Sequence, residues 1–240
     1  MIDLPLHPSA SDGLLRPADL VTRAAHAGLR VISVTDHDTT AGLDEARAEA
    51  AARGLRLIDG IDITAVDDGR DVHVLGYFID PRHEALRSFL EAQRSDRVRR
   101  VREIADRLAE LGAPIDPEPL MKRGLEAGQS VGRPHVASAL IAAGHVQTWD
   151  EAFDRYLGQG KPAFVPRRGA APAVVVDVIR AAGGVASLAH PGLTGIDPLI
   201  PGLVEAGLGA LEVRHSEHDA ETEARYAAAG ARIVKAFNTT

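Results

Sequence analysis

The sequence predicts an α/β fold with mainly parallel strands, and three observations carry that expectation. Short β-rich runs alternate with alanine-rich helical stretches. Carboxylates and imidazoles fall where the chain leaves those runs, the place where parallel α/β sheets gather function. The chain has 240 residues and 45% hydrophobic content, enough to bury one sizeable core or one core carrying an insertion.

Taken in order, Ile2-Asp3-Leu4 opens a short strand that the chain leaves at His7, and Val31–Val34 forms the next. A helix is expected over Thr40–Arg53, then strands at Leu55–Ile58, Ile61–Thr64 and Val72–Phe78. From Pro81 to about Lys161 the pattern turns helical, which reads as an insertion subdomain (81–161) in a discontinuous domain formed by 1–80 and 162–240. Its charged run, Arg94, Arg97, Arg99, Arg100 and Arg102, is balanced by Glu91, Asp96, Glu103 and Asp106, so a solvated helix face is expected. Alternation then resumes: Val174–Ala182 is helical, Gly183-Gly184 ends that helix, and the strand Val185–Leu188 delivers His190.

Composition narrows the chemistry. Without cysteine there are no disulfides, thiolate ligands or thiol nucleophiles, which leaves imidazole and carboxylate as metal-binding side chains. Manganese, iron or zinc suits such donors. No basic region with an apolar run opens the chain, and no stretch approaches the roughly 18 apolar residues of a membrane span. A cytoplasmic protein with no membrane association is the expectation. A formal charge of -7 argues against a broad footprint on long nucleic acid while leaving room for a small anionic substrate.

The candidate site starts from Asp3-Leu4-Pro5-Leu6-His7, Ser11-Asp12-Gly13 and Thr35-Asp36-His37-Asp38-Thr39-Thr40. Side chains of this kind at strand ends suit a multinuclear metal centre that polarises a phosphate and activates water. Asp36 and Asp38 are expected to orient the His37 imidazole or cap the following helix. Further along stand Gly60-Ile61-Asp62-Ile63-Thr64, His73-Val74-Leu75-Gly76-Tyr77-Phe78, Gly132-Arg133-Pro134-His135, Tyr156-Leu157-Gly158-Gln159-Gly160-Lys161-Pro162 and Ala189-His190-Pro191-Gly192.

In this order, over nearly the whole chain, these segments resemble the PHP family, the polymerase and histidinol phosphatase metal-dependent phosphoesterases, and within it the branch that hydrolyses nucleotide and oligonucleotide phosphoesters. The resemblance implies a distorted (β/α)7 barrel, here incomplete at its C-terminus, with two or three divalent ions held by His7, Asp12, His37, Asp62, His73 and His190. It implies a substrate phosphate clamped by Arg133 and His135; no protein partner is implied. His215 and His218 are expected to line the mouth without acting as ligands. Three departures accompany the resemblance: Pro5 stands where the family's first motif has His, Asp62 where it has Glu, and no acidic or imidazole side chain follows Arg232. Two alternatives stay open beside the nucleotide phosphoesterase: a catalytically impaired relative that at most binds phosphate ligands, and a histidinol-phosphatase-type monoesterase.

Overall fold

The computed structural model describes residues 1–228 and 232–234. In chain order the elements are β1 (Ile2–Leu6), α1 (Pro17–His26), β2 (Val31–Val34), α2 (Leu43–Arg53), β3 (Arg56–Asp67), β4 (Arg70–Tyr77), α3 (Glu84–Glu110), α4 (Glu118–Glu126) and α5 (Arg133–Ala142). A short α6 (Trp149–Ala152) runs into a π-helical turn (Phe153–Leu157). There follow α7 (Pro172–Ala181), β5 (Val185–Leu188), α8 (Pro191–Thr194), α9 (Ile200–Glu205), β6 (Ala210–Glu212), α10 (Ala220–Ala228) and β7 (Arg232–Val234). The expected α/β class is the one observed, as a mixed half-barrel sheet dressed with helices.

The seven strands lie side by side in sequence order. β1–β2, β2–β3, β5–β6 and β6–β7 pair in parallel, while β4 runs antiparallel to both β3 and β5. The reversal follows from the two-residue turn Asp68-Gly69, both at positive φ, which folds β4 directly back on β3 and leaves no room for a crossover helix. β3 is also longer than expected, joining Leu55–Ile58 and Ile61–Thr64 through Gly60. A Cβ at Gly60 would stand 2.3 Å from Ser33 Oγ and 2.9 Å from the Val34 carbonyl oxygen, so glycine there permits close approach to β2.

The chain folds as two compact units, Met1–Leu90 with Gly169–Thr240, and Glu91–Arg168. Both breaks fall somewhat later in the chain than the expected 80/81 and 161/162. In the sheet unit, α1 buries Pro17, Val21 and Ala24 and α2 buries Leu43, Ala46 and Ala50, each a single stripe at helical spacing. These stripes pack with Ile32 and Val34. α2 stops at Gly54, left-handed at φ 69°, whose N–H returns to the Ala50 and Ala51 carbonyls. Across the rest of the sheet Ile61, Ile63, Val74, Val176, Ile179, Leu188 and Leu211 form a continuous core.

The Glu91–Arg168 unit has its own core, including Val98, Val101, Ile104, Leu108, Val136 and Leu140. Here the expected solvated arginine face is corrected. Arg97 and Arg100 are only 8% and 5% exposed. Arg97 Nη1 donates to the Val131 carbonyl at 3.2 Å and Arg100 Nε to that of Val165 at 2.7 Å. Two loops of the unit are thereby pinned to α3, because buried carbonyls need donors and arginine reaches far enough to supply them. Arg99 instead pairs with Asp96 and Glu103 along the helix.

Candidate metal centre

β1 ends at Leu6, whose carbonyl accepts the Thr35 N–H at 2.8 Å, and His7 follows at the rim. Residues 8–13 then fold back, with Ser11 and Gly13 N–H groups both bonding the Pro8 carbonyl at 3.2 Å. This turn needs Gly13: a Cβ there would lie 1.8 Å from the His7 carbonyl oxygen. The Ser11 hydroxyl donates to Asp36 Oδ1 at 2.6 Å, tying the loop to the end of β2. Asp12 is thereby brought to the site, with Oδ2 3.6 Å from His37 Nε2.

His37 sits between two aspartates that grip the neighbouring strand. Asp62 N–H donates to the Asp36 carbonyl at 3.2 Å, and Asp38 N–H to the Asp62 carbonyl at 2.8 Å. Asp38 Oδ1 accepts the Thr64 N–H at 2.9 Å, and Asp38 itself stands at φ 52°, a strained setting for a non-glycine residue. These bonds place His37 opposite Asp62 as an isolated parallel bridge. Asp36 and Asp38 thus fix the backbone around the imidazole, and α2 starts at Gly42 without a side-chain cap. Burial pushes the Asp36 carboxyl up to about 7, against the lowering pull of its Ser11 bonds.

Asp62 occupies the middle of the site at 2% exposure. Its Oδ2 is 3.3 Å from His37 Nδ1, and its Oδ1 is 3.0 Å from His73 Nδ1. Although shorter than glutamate, this carboxylate faces two imidazoles at once. Burial is the largest single influence and pushes its pKa up, but the charges and hydrogen bonds of His73 and His37 together hold it well below the usual carboxylate range. His73 reaches the rim because β4 is reversed, so an early residue of β4 lies beside the late residues of β3 and β5. His190 follows β5 at φ 26°. Burial lowers the pKa of both His7 and His190 to about 4, helped by neighbouring His37 and His73 respectively, so both rings are neutral near pH 7.

The six expected ligands therefore gather in the sheet unit. His7, His37 and Asp62 each offer an atom within 4.8 Å of the others. The rings of His7, His37, His73, His190, His215 and His218 follow one another at centroid spacings of 4.6 to 5.6 Å. A cavity of about 260 Å3 opens on the first five of these rings, lined also by Pro5, Asp62, Leu75, Ala189 and Glu212. Nδ1 of His7, Nδ1 of His190 and Oε1 of Glu212 are buried with no hydrogen-bond partner among the described residues. Unpaired imidazole and carboxylate atoms around one cavity fit a divalent cation, since buried polar atoms are otherwise satisfied.

Sequence reasoning missed Glu212. It lies at the end of β6, where a carboxylate leaving an apolar strand is a signal in this fold class. Oε2 accepts the His190 N–H at 2.8 Å, and burial raises its carboxyl to about 7. Arg133 and His135 belong to the Glu91–Arg168 unit. There the Arg133 guanidinium lies 5.7 and 5.6 Å from the Phe153 and Phe164 ring centres and donates to the Leu157 carbonyl at 3.4 Å. His135 Nδ1 accepts the Gly132 N–H at 3.3 Å at the start of α5. The expected loss of ligands at the C-terminus concerns side chains that lie outside the described residues.

Comparison with known proteins places the chain in a family. Residues 3–131 match the model of the PHP domain. The chain is 41% identical over 79% of its length to a 5'-3' exoribonuclease of Haemophilus influenzae, covering 68% of that protein, and 38% identical to the 5'-3' exoribonuclease Rnm of Escherichia coli, covering 65%. It is 34% identical over 94% of its length to a 3',5'-nucleoside bisphosphate phosphatase of Chromobacterium violaceum, covering 81% of that protein. Among solved structures, an amidohydrolase from Chromobacterium violaceum, with bound sulfate and no metal, superposes with a TM-score of 0.87 at 32% identity. That match covers 97% of this chain and 84% of the other.

Proposed function

Since the chain belongs to the PHP-domain family of metal-dependent phosphoesterases, we propose that its cavity hydrolyses the phosphate ester of a nucleotide or short oligonucleotide. The observation that carries the reading is the buried Asp62 carboxylate facing His37 and His73, within ligand reach of His7. His7, Asp12, His37, Asp62, His73 and His190 would hold two or three divalent ions, with manganese, iron or zinc as candidates. When bound, such ions supply Lewis acidity toward phosphoryl oxygens and make water a nucleophile near neutral pH.

The chain's own residues do the rest. His7 and His190 stay unprotonated and offer lone pairs, because burial disfavours their charged forms. Asp38 and Asp36 hold His37 in place through backbone bonds, so the donor set is organised before any ion enters. Arg133 and His135 are proposed as phosphate-holding residues on the strength of the Gly-Arg-Pro-His motif, since a guanidinium fork matches a phosphate. A cytoplasmic location belongs to the same proposal. No described helix is long and apolar enough to cross a membrane.

The test is hydrolysis of an aryl phosphate and a nucleoside 3',5'-bisphosphate by protein stripped of metal and reloaded with manganese. Activity is expected with the reloaded protein, and Asp62→Asn is expected to lose at least about a hundredfold with loss of bound metal. Failure of reloaded wild type on both substrates overturns the reading.

A further inference from the structure

The phosphoesterase reading leaves the cavity-lining His215 without a role, and its hydrogen bonding differs from that of a ligand. His215 lies just beyond β6 and lines the cavity beside His190, ring centres 5.4 Å apart. Its Nδ1 accepts the Glu217 backbone N–H at 3.2 Å. A backbone N–H can only donate, so Nδ1 carries the lone pair and the proton of the neutral ring sits on Nε2. Metal-binding histidines show the opposite arrangement, with the spare N–H donating to a carbonyl or carboxylate and the other nitrogen left bare. The adjacent His218 has that opposite arrangement: its Nδ1 donates to the Val213 carbonyl at 2.9 Å, leaving Nε2 as an acceptor. His215 is the donor of the two.

The cavity needs such a donor. Its lining carries the carboxylates of Asp62 and Glu212 and neither lysine nor arginine. A phosphate entering it meets carboxyl oxygens and imidazoles, so donors beyond the bound ions decide its orientation.

We propose that His215 is a substrate-binding residue whose Nε2–H donates to a phosphoryl oxygen in the cavity, and that it is not a metal ligand. The inference rests on the phosphoesterase reading for its substrate class. It is tested on the manganese-loaded full chain with His215→Asn, which keeps an acceptor for the Glu217 N–H and places nothing at the Nε2 position, and with His215→Gln, whose amide nitrogen reaches towards that position. The Asn variant should raise KM and weaken inhibition by inorganic phosphate roughly tenfold or more, with bound metal per chain unchanged and partial recovery in the Gln variant. Unaltered KM and phosphate inhibition would overturn the proposal, and so would loss of bound metal, which would make His215 a ligand. Calorimetric binding of inorganic phosphate to the loaded wild type and Asn variant measures the same interaction without turnover. An inactive wild type that still binds phosphate through His215 would therefore count against the phosphoesterase reading alone.

Discussion

Gly13 shows how one missing carbon shapes the site. With its Cβ position 1.8 Å from the His7 carbonyl oxygen and 2.9 Å from the Pro8 carbonyl carbon, Gly13→Ala forces the 8–13 turn open and draws Asp12 away from His37. The expected cost is about 1–3 kcal/mol in urea unfolding, together with weaker metal retention by elemental analysis. Arg133 supports a second prediction at this scale. If it holds substrate phosphate, Arg133→Ala raises KM roughly ten- to a hundredfold with bound metal unchanged, checked on protein whose circular dichroism matches wild type. Pro5 gives the contrasting case: it lines the cavity and offers neither a side-chain donor nor a ligand atom. Each of these positions is visible in the sequence, but only interatomic distances separate the residue that shapes a turn from the one that fills a wall.

Among the elements, the strands, their exits and the mainly parallel pairing were readable, and the reversal of β4 was not. Val31–Val34 and Val185–Leu188 appear where short, largely apolar runs placed them, and His37 and His190 follow as expected. The antiparallel β4 escaped because alternating patterns fix which face is buried and say nothing of a strand's partner. The arginine run misled for a related reason, since charge balance along α3 hides which guanidiniums meet buried carbonyls. α10 carries a testable tether of its own. The Tyr226 hydroxyl donates to Asp197 and accepts from Arg225 at 2.9 Å, and burial followed by the Asp197 bond raises its pKa to about 12. A group that holds its proton more tightly when folded contributes stability that is complete below pH 10 and is lost as pH rises through about 12. Tyr226→Phe should flatten that alkaline decline in urea melts while costing about 1 kcal/mol at neutral pH.

For the whole molecule, the prediction concerns linkage. An ion that binds only the folded chain stabilises it by about 2.7 kcal/mol at a hundredfold excess over Kd. Manganese should therefore raise the Tm of metal-stripped protein by roughly 5–10 °C, and a chelator should reverse it. An unchanged Tm would sink the metal centre. At this scale His7, His37 and His190 were legible from their places just past β1, β2 and β5, whereas Asp12 arrives on the 8–13 loop and Asp62 and His73 stand within β3 and β4. Glu212 escaped because its value lies in the bond to the His190 backbone, a contact across 22 positions of sequence.

That dispersal has a kinetic consequence. The donors come from β1 through β5 and their exits, so no contiguous fragment holds even His7, His37 and Asp62 until three strands have paired. Pairings between residues far apart in sequence form slowly. Ion uptake should accordingly lag behind the recovery of secondary structure during refolding, making the captured metal a timer for completion of the sheet.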